Sequence, residues 1–130
     1  MTPAPPYEIY KQGLGYILRG PYVLGVPGVK GNVTTEYLTL DSEMLFFRTG
    51  YQWNGDNVVP DHPCSIRASL GHDGLYQLIA LGYLPRSSRK AADEFYRNTC
   101  IEDGMKRWKA WVRYYTLRAV WTVKDCCKSG

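Results

Sequence analysis

The strongest constraint on the fold is a change of periodicity near residue 60. Before it, short runs of β-branched and aromatic residues are broken by turn signals at Gly13 and Gly15, Gly20-Pro21, Pro27-Gly28 and Lys30-Gly31-Asn32. The runs between them, 7–10, 16–18, 22–26, 34–40 and 44–47, are too short for helices and rich in strand-forming side chains. Thr35, Tyr37 and Thr39 alternate with Glu36, Leu38 and Leu40. Asp41-Ser42-Glu43 then separates this run from 44–47, which predicts a hairpin.

After Pro63 the period lengthens toward 3.6. Over 65–81, Ala68, His72, Leu75, Tyr76 and Ile79 share one helical face, with Leu78 beside them. Gly82 can end that helix and Pro85 bars its continuation. Ser87 or Ser88 caps a second helix over 89–103, with Ala92, Phe95, Tyr96, Thr99 and Cys100 facing inward and Gly104 as its stop. A third helix is expected over 106–124. Trp108, Trp111, Val112, Tyr115, Ala119 and Thr122 fall on one side, the expected core face, and Lys106, Lys109, Arg113 and Lys124 form a stripe opposite. The expectation is an α+β domain: a small antiparallel sheet or ribbons in the N-terminal half packed on three C-terminal α-helices. One domain spans 1–130, with a Pro-rich arm at 1–6, a β-rich half at 7–60, a helical half at 64–124 and a tail at 125–130.

Composition narrows the class. With 45% hydrophobic and 22% charged residues, the chain is neither disordered nor collagen-like. No apolar run reaches the ~18 residues of a membrane span, and no signal-peptide pattern opens the chain. Cys64, Cys100, Cys126 and Cys127 lack zinc-site spacing, so four reduced thiols are expected, with Cys64–Cys100 the one pairing to check. Charge is asymmetric. Residues 1–65 hold four Lys/Arg against six Asp/Glu, whereas 66–130 hold twelve against six. Such a basic half can meet an anionic partner.

Chemistry concentrates on the first helix. His72-Asp73 is the only His-Asp dipeptide, and Tyr76 lies one turn beyond His72. A buried histidine beside a carboxylate can act as a general base near neutral pH. The structural alternative is a half-buried histidine with a local hydrogen bond. Counted along a tight hairpin at 1.5 Å per residue, His72 lies about 13 Å from the turn and Asp93 about 8 Å. This count places Asp93 level with Tyr76, and His72 level with Arg97. It predicts a Tyr76–Asp93 hydrogen bond across the hairpin.

Trp53-Asn54-Gly55, Cys64-Ser65, the run Arg67-Ala68-Ser69-Leu70-Gly71-His72-Asp73-Gly74-Leu75-Tyr76-Gln77-Leu78, and Ala92-Asp93-Glu94-Phe95 together resemble a family of tailed-phage and prophage proteins. That family carries an "ASLxHDxLYxL" helix followed by an Ala-Asp helix. The resemblance covers roughly residues 36–120 and implies a phage origin but no activity; Asn54 stands where the family usually has Asp. Gly55, Pro60, Asp61, Cys64, His72, Asp73, Tyr76 and Asp93 also resemble the secreted phospholipase A2 pattern. That resemblance implies calcium held by Asp73, His72 as base and Asp93 as its orienter, with Tyr76 supporting.

The third helix adds a further surface. Lys106, Lys109 and Arg113 interleave with aromatics in a manner that can bind nucleic acid. Tyr114, Leu117 and Trp121 form a second patch suited to a protein interface. The sequence reading is therefore a non-catalytic phage accessory protein with other phage proteins as partners and no cofactor, in the host cytoplasm or the virion. The alternatives are a His/Asp hydrolase acting on an envelope ester, using calcium, and nucleic-acid binding through the basic helix.

Overall fold

A computed structural model describes residues 7–9, 15–54 and 62–128, with 7–9 and 121–128 as backbone only. The expected arm at 1–6, the side chains of Trp121, Thr122 and Lys124, and Cys126-Cys127 lie outside the described part.

The predicted hairpin organises the larger sheet. Leu38–Ser42 and Met44–Phe47 pair antiparallel with Leu40 opposite Leu45, and Ser42 adopts φ 56° in the tight turn between them. Numbering strands in chain order, β1 is Tyr7–Ile9, β2 Tyr16–Leu18, β3 Tyr22–Gly25, β4 Gly31–Thr34, β5 and β6 the hairpin strands, and β7 Gln52–Trp53. One sheet runs β3-β6-β5-β4, and a three-stranded one runs β1-β2-β7. Alternation sets the faces: Leu38, Leu40, Leu45 and Phe47 are buried, while Met44 and Phe46 face outward.

Two strand expectations are corrected. Gly31-Asn32, read as a turn, begins β4, whose residues pair along β5 from Gly31–Ser42 to Thr34–Thr39. The run 34–40 is not one strand. It turns at Thr35, whose N–H donates to the Leu38 carbonyl at 2.7 Å and whose hydroxyl accepts from the Leu38 N–H at 3.1 Å.

The helical half follows the sequence signals closely. A single 3₁₀ turn (Pro63–Ser65) leads into α1 (Ile66–Ala80), α2 (Ser88–Glu102) and α3 (Arg107–Lys128). His62 is half-buried, and its Nδ1 accepts the Cys64 N–H at 3.0 Å. Gly82 and Gly104 end α1 and α2 at φ 87° and 107°. Their neighbours complete the closing bonds, Tyr83 N–H to Leu78 and Met105 N–H to Cys100. Arg67 at the start of α1 grips Asp103 at the end of α2 with two bonds of 3.1 and 2.9 Å.

The main core joins the inner sheet faces to Leu70, Leu75 and Leu78 of α1 and to Leu84, Ala92 and Phe95. A second cluster joins Ala68, Tyr96, Cys100 and Met105 to Ala110 and Leu117 of α3. Cys64 and Cys100 remain thiols, not joined to one another. No described helix is long and apolar enough to cross a membrane.

The largest correction concerns α3, whose faces are inverted relative to expectation. Trp108, Trp111, Val112 and Tyr115, expected in the core, are exposed, whereas Tyr114 and Leu117, expected at an interface, are buried with Ala110. The small Ala110 lets α3 lie close to α2. Arg113 and Arg118, on the margins of that side, find partners there in the Tyr96 hydroxyl at 3.1 Å and the Asp93 carboxylate at 3.0 Å. Polar partners on α2 thus choose the contact face more than aromatic bulk does.

Candidate functional site

The only strongly polar cluster described in the interior lies where α1, α2 and α3 meet. It is built on Asp93, whose side chain has no exposed surface. The first turn and a half of α2 places Asp93 beside the inward Ala92 and Phe95, facing α1. His72 and Tyr76 come from successive turns of α1, and Arg118 reaches in from α3.

All three contribute donors to one carboxylate. Tyr76 OH donates to Oδ1 at 2.6 Å, His72 Nε2 lies 2.7 Å from the same oxygen, and Arg118 donates to Oδ2 at 3.0 Å. The predicted Tyr76–Asp93 bond is present. The expectation that His72 sits level with Arg97, out of Asp93's reach, is corrected. The His72 ring stacks on the Tyr76 ring, centroids 4.1 Å apart, and both side chains reach the same Asp93 oxygen. Counting backbone rise alone does not capture how far the two side chains reach.

The electrostatics follow from the donor set. A carboxylate facing a guanidinium, a phenol and an imidazole is satisfied as an anion, and it draws the imidazole proton onto Nε2. Burial, reinforced by the bond to Asp93 and its negative charge, pushes the Tyr76 hydroxyl well above the ordinary tyrosine range. Burial, and then the charge of Asp73, does the same to Tyr51. Tyr51 OH also donates to Gln77 Oε1 at 3.2 Å.

For both tyrosines the folded value exceeds the unfolded one. Their contribution to stability is complete below about pH 10 and is lost as pH rises from there toward the folded values. The melting midpoint should therefore fall on the alkaline side of about pH 10. Tyr76→Phe should lower the neutral-pH midpoint but flatten that alkaline decline. Identical alkaline slopes in the two proteins would refute the assignment.

The structure brings His72, Asp93 and Tyr76 together and gives Asp73 a different setting. Asp73 is half-buried, and its charge acts on Tyr51. Among the described residues, no group of three or more His, Cys, Asp or Glu could hold a metal ion. The Gly55, Pro60 and Asp61 positions of that resemblance lie outside the described residues.

The His72 side chain is 11% exposed, with Tyr96 edge-on to its ring at 5.6 Å. Two cavities are described away from it. One, of about 590 Å³, lies on the outer face of the larger sheet between Val23, Phe46 and Arg48, and the other, of about 550 Å³, lies between Arg67 and Arg97. The chain matches no family model, no curated protein and no solved structure.

The basic patch is also rearranged. Lys106 is exposed, Lys109 is half-buried with its ammonium 5.7 Å from the Trp108 ring centre, and Arg113 turns inward to Tyr96. They do not form one open stripe. Sequence reasoning missed Arg118 and the Trp53–Ser69 bond, in which the indole N–H donates at 3.1 Å. The signal for Arg118 was its position directly after Leu117, at the edge of the true contact face.

Proposed function

We propose that this protein is a non-catalytic accessory protein that works by docking on another protein through α3, in the setting of a tailed phage or prophage. The phage setting, in the host cytoplasm or the virion, rests on the sequence resemblance. The observation that carries the docking role is the outer face of α3, where Trp108, Trp111, Val112 and Tyr115 stand exposed together. Aromatic groups of this size on one helical stripe are typical interface anchors. In this reading the Asp93 cluster serves the fold. It ties α1, α2 and α3 to one carboxylate, and the described cavities lie elsewhere.

One observation favours a second reading. The 2.7 Å His72–Asp93 contact is the geometry of an oriented general base, and a hydrolase of lipid or another envelope ester would use it. Hydrolysis of phospholipid vesicles and of a simple aryl ester, with and without calcium, separates the two when measured beside the thermal midpoint of His72→Ala. The docking reading expects no hydrolysis above buffer and a midpoint lowered by several degrees, because the variant leaves Asp93 short of a donor. Hydrolysis abolished in His72→Ala, with the midpoint unchanged, would install the hydrolase instead.

A further inference from the structure

The two apolar faces of α3 lie on opposite sides of the helix. At 100° per residue, Ala110, Tyr114 and Leu117 centre about half a turn away from Trp108, Val112 and Tyr115. The first set seals against α2. The second is open, with Trp108 62%, Val112 56%, Tyr115 61% and Trp111 40% exposed. A helix with apolar residues on both sides is built to be an inner layer. One of its two neighbours is α2.

We infer that the other neighbour is an apolar helix flanked by acidic side chains, supplied by a different protein. This rests on the docking role proposed above. Three observations select that occupant. The open stripe has the i, i+3, i+4, i+7 spacing with which one helix meets another. Its rings are already held: Trp111 packs against Tyr114 and Tyr115 at 5.6 and 5.7 Å, and the Arg97 guanidinium covers a face of Trp111 at 4.1 Å. Held rings cost little further ordering on binding, and a covered ring face is poorly suited to base stacking.

Charge decides the rest. Between residues 104 and 124 the sequence contains Lys106, Arg107, Lys109, Arg113, Arg118 and Lys124 and no Asp or Glu. A second copy of the chain would bring basic flanks against basic flanks. At 100° per residue Arg107 and Lys109 border the open stripe on its two sides, and an acidic-flanked helix brings the opposite sign to both.

The test uses the full chain and two synthetic peptides of about three heptads, with leucine at the a and d positions and either glutamate or lysine at every e and g position. Like charges at e and g keep each peptide from pairing with itself. The glutamate peptide should bind, and the lysine peptide should bind at least about tenfold more weakly. Trp108→Ala/Tyr115→Ala should weaken the glutamate peptide roughly tenfold or more without moving the melting midpoint, since both side chains are exposed. Arg107→Glu/Lys109→Glu, which keeps the aromatic stripe, should narrow the preference between the peptides.

Equal binding of the two peptides, or none of the glutamate peptide, overturns the inference. Concentration-dependent dimers dissolved by Trp108→Glu would also overturn it while leaving the docking role standing, with the chain as its own partner. Binding to phosphatidylglycerol vesicles or to oligothymidylate that is lost in Trp108→Ala/Tyr115→Ala, with neither peptide bound, would overturn both.

Discussion

Asp93→Ala should lower the free energy of unfolding by about 2–4 kcal/mol, the cost of leaving the His72 and Tyr76 donors without their acceptor. The substitution leaves the Arg118 guanidinium, the Tyr76 hydroxyl and the His72 ring facing a site with no acceptor. Against a total stability of about 5–15 kcal/mol this is a large fraction. Urea unfolding reads it directly, as a lower midpoint at an unchanged slope. Asp93→Asn provides the calibration. It keeps an oxygen for Tyr76 and His72 but turns an amide nitrogen toward Arg118, so its loss should fall between wild type and alanine. A cost below about 1 kcal/mol for alanine would mean that the cluster does not hold the helices together.

The second large effect is expected at Gly71, in the middle of α1. In an exposed helix, glycine to alanine gains about 1 kcal/mol from backbone entropy. Here an added Cβ would stand 2.3 Å from Phe95 Cε1, 2.6 Å from its Cζ and 3.1 Å from Leu24 Cδ1. A buried aromatic ring cannot absorb that overlap in place, and overpacking costs about 1–3 kcal/mol. Gly71→Ala should therefore lose up to about 2 kcal/mol net, the opposite sign to its helix propensity. Adding Phe95→Leu should recover part of the loss, a coupling that a double-mutant cycle measures. Additive behaviour in the cycle would place the cost elsewhere. Gly74 meets the sheet in the same way, 2.8 Å from Phe47 Cε2, so the glycines flanking His72 set how closely α1 approaches both of its neighbours.

How much of this was legible in the sequence depends on how local each determinant is. The β5–β6 hairpin and the helix stops at Gly82 and Gly104 appear where the sequence predicts them, because turn chemistry is decided within a few residues. The α1 and α2 boundaries fall within a residue or so of expectation for the same reason. β4 was not legible. Gly31-Asn32 carries a turn composition and becomes a strand only because β5 pairs with it. The α3 faces were misread since bulk and hydropathy favour tryptophan in a core, yet the contact went to the side where Arg113 and Arg118 could reach Tyr96 and Asp93. Of the candidate site, the Tyr76–Asp93 bond followed from hairpin register. The His72–Asp93 contact depends on how far the His72 side chain reaches, which register does not encode.

Asp93 also bears on how the helical half can come apart. Its two donors from α1 sit on one oxygen and its single cation comes from α3, so no pair of helices satisfies it. An α1–α2 hairpin formed alone would leave Asp93 Oδ2 without its cation, and α3 peeling off would recreate that state. Partial structures in this half are thus penalised at both ends of the pathway. The three helices are therefore expected to form and to melt together, although each could be drawn as a separate element.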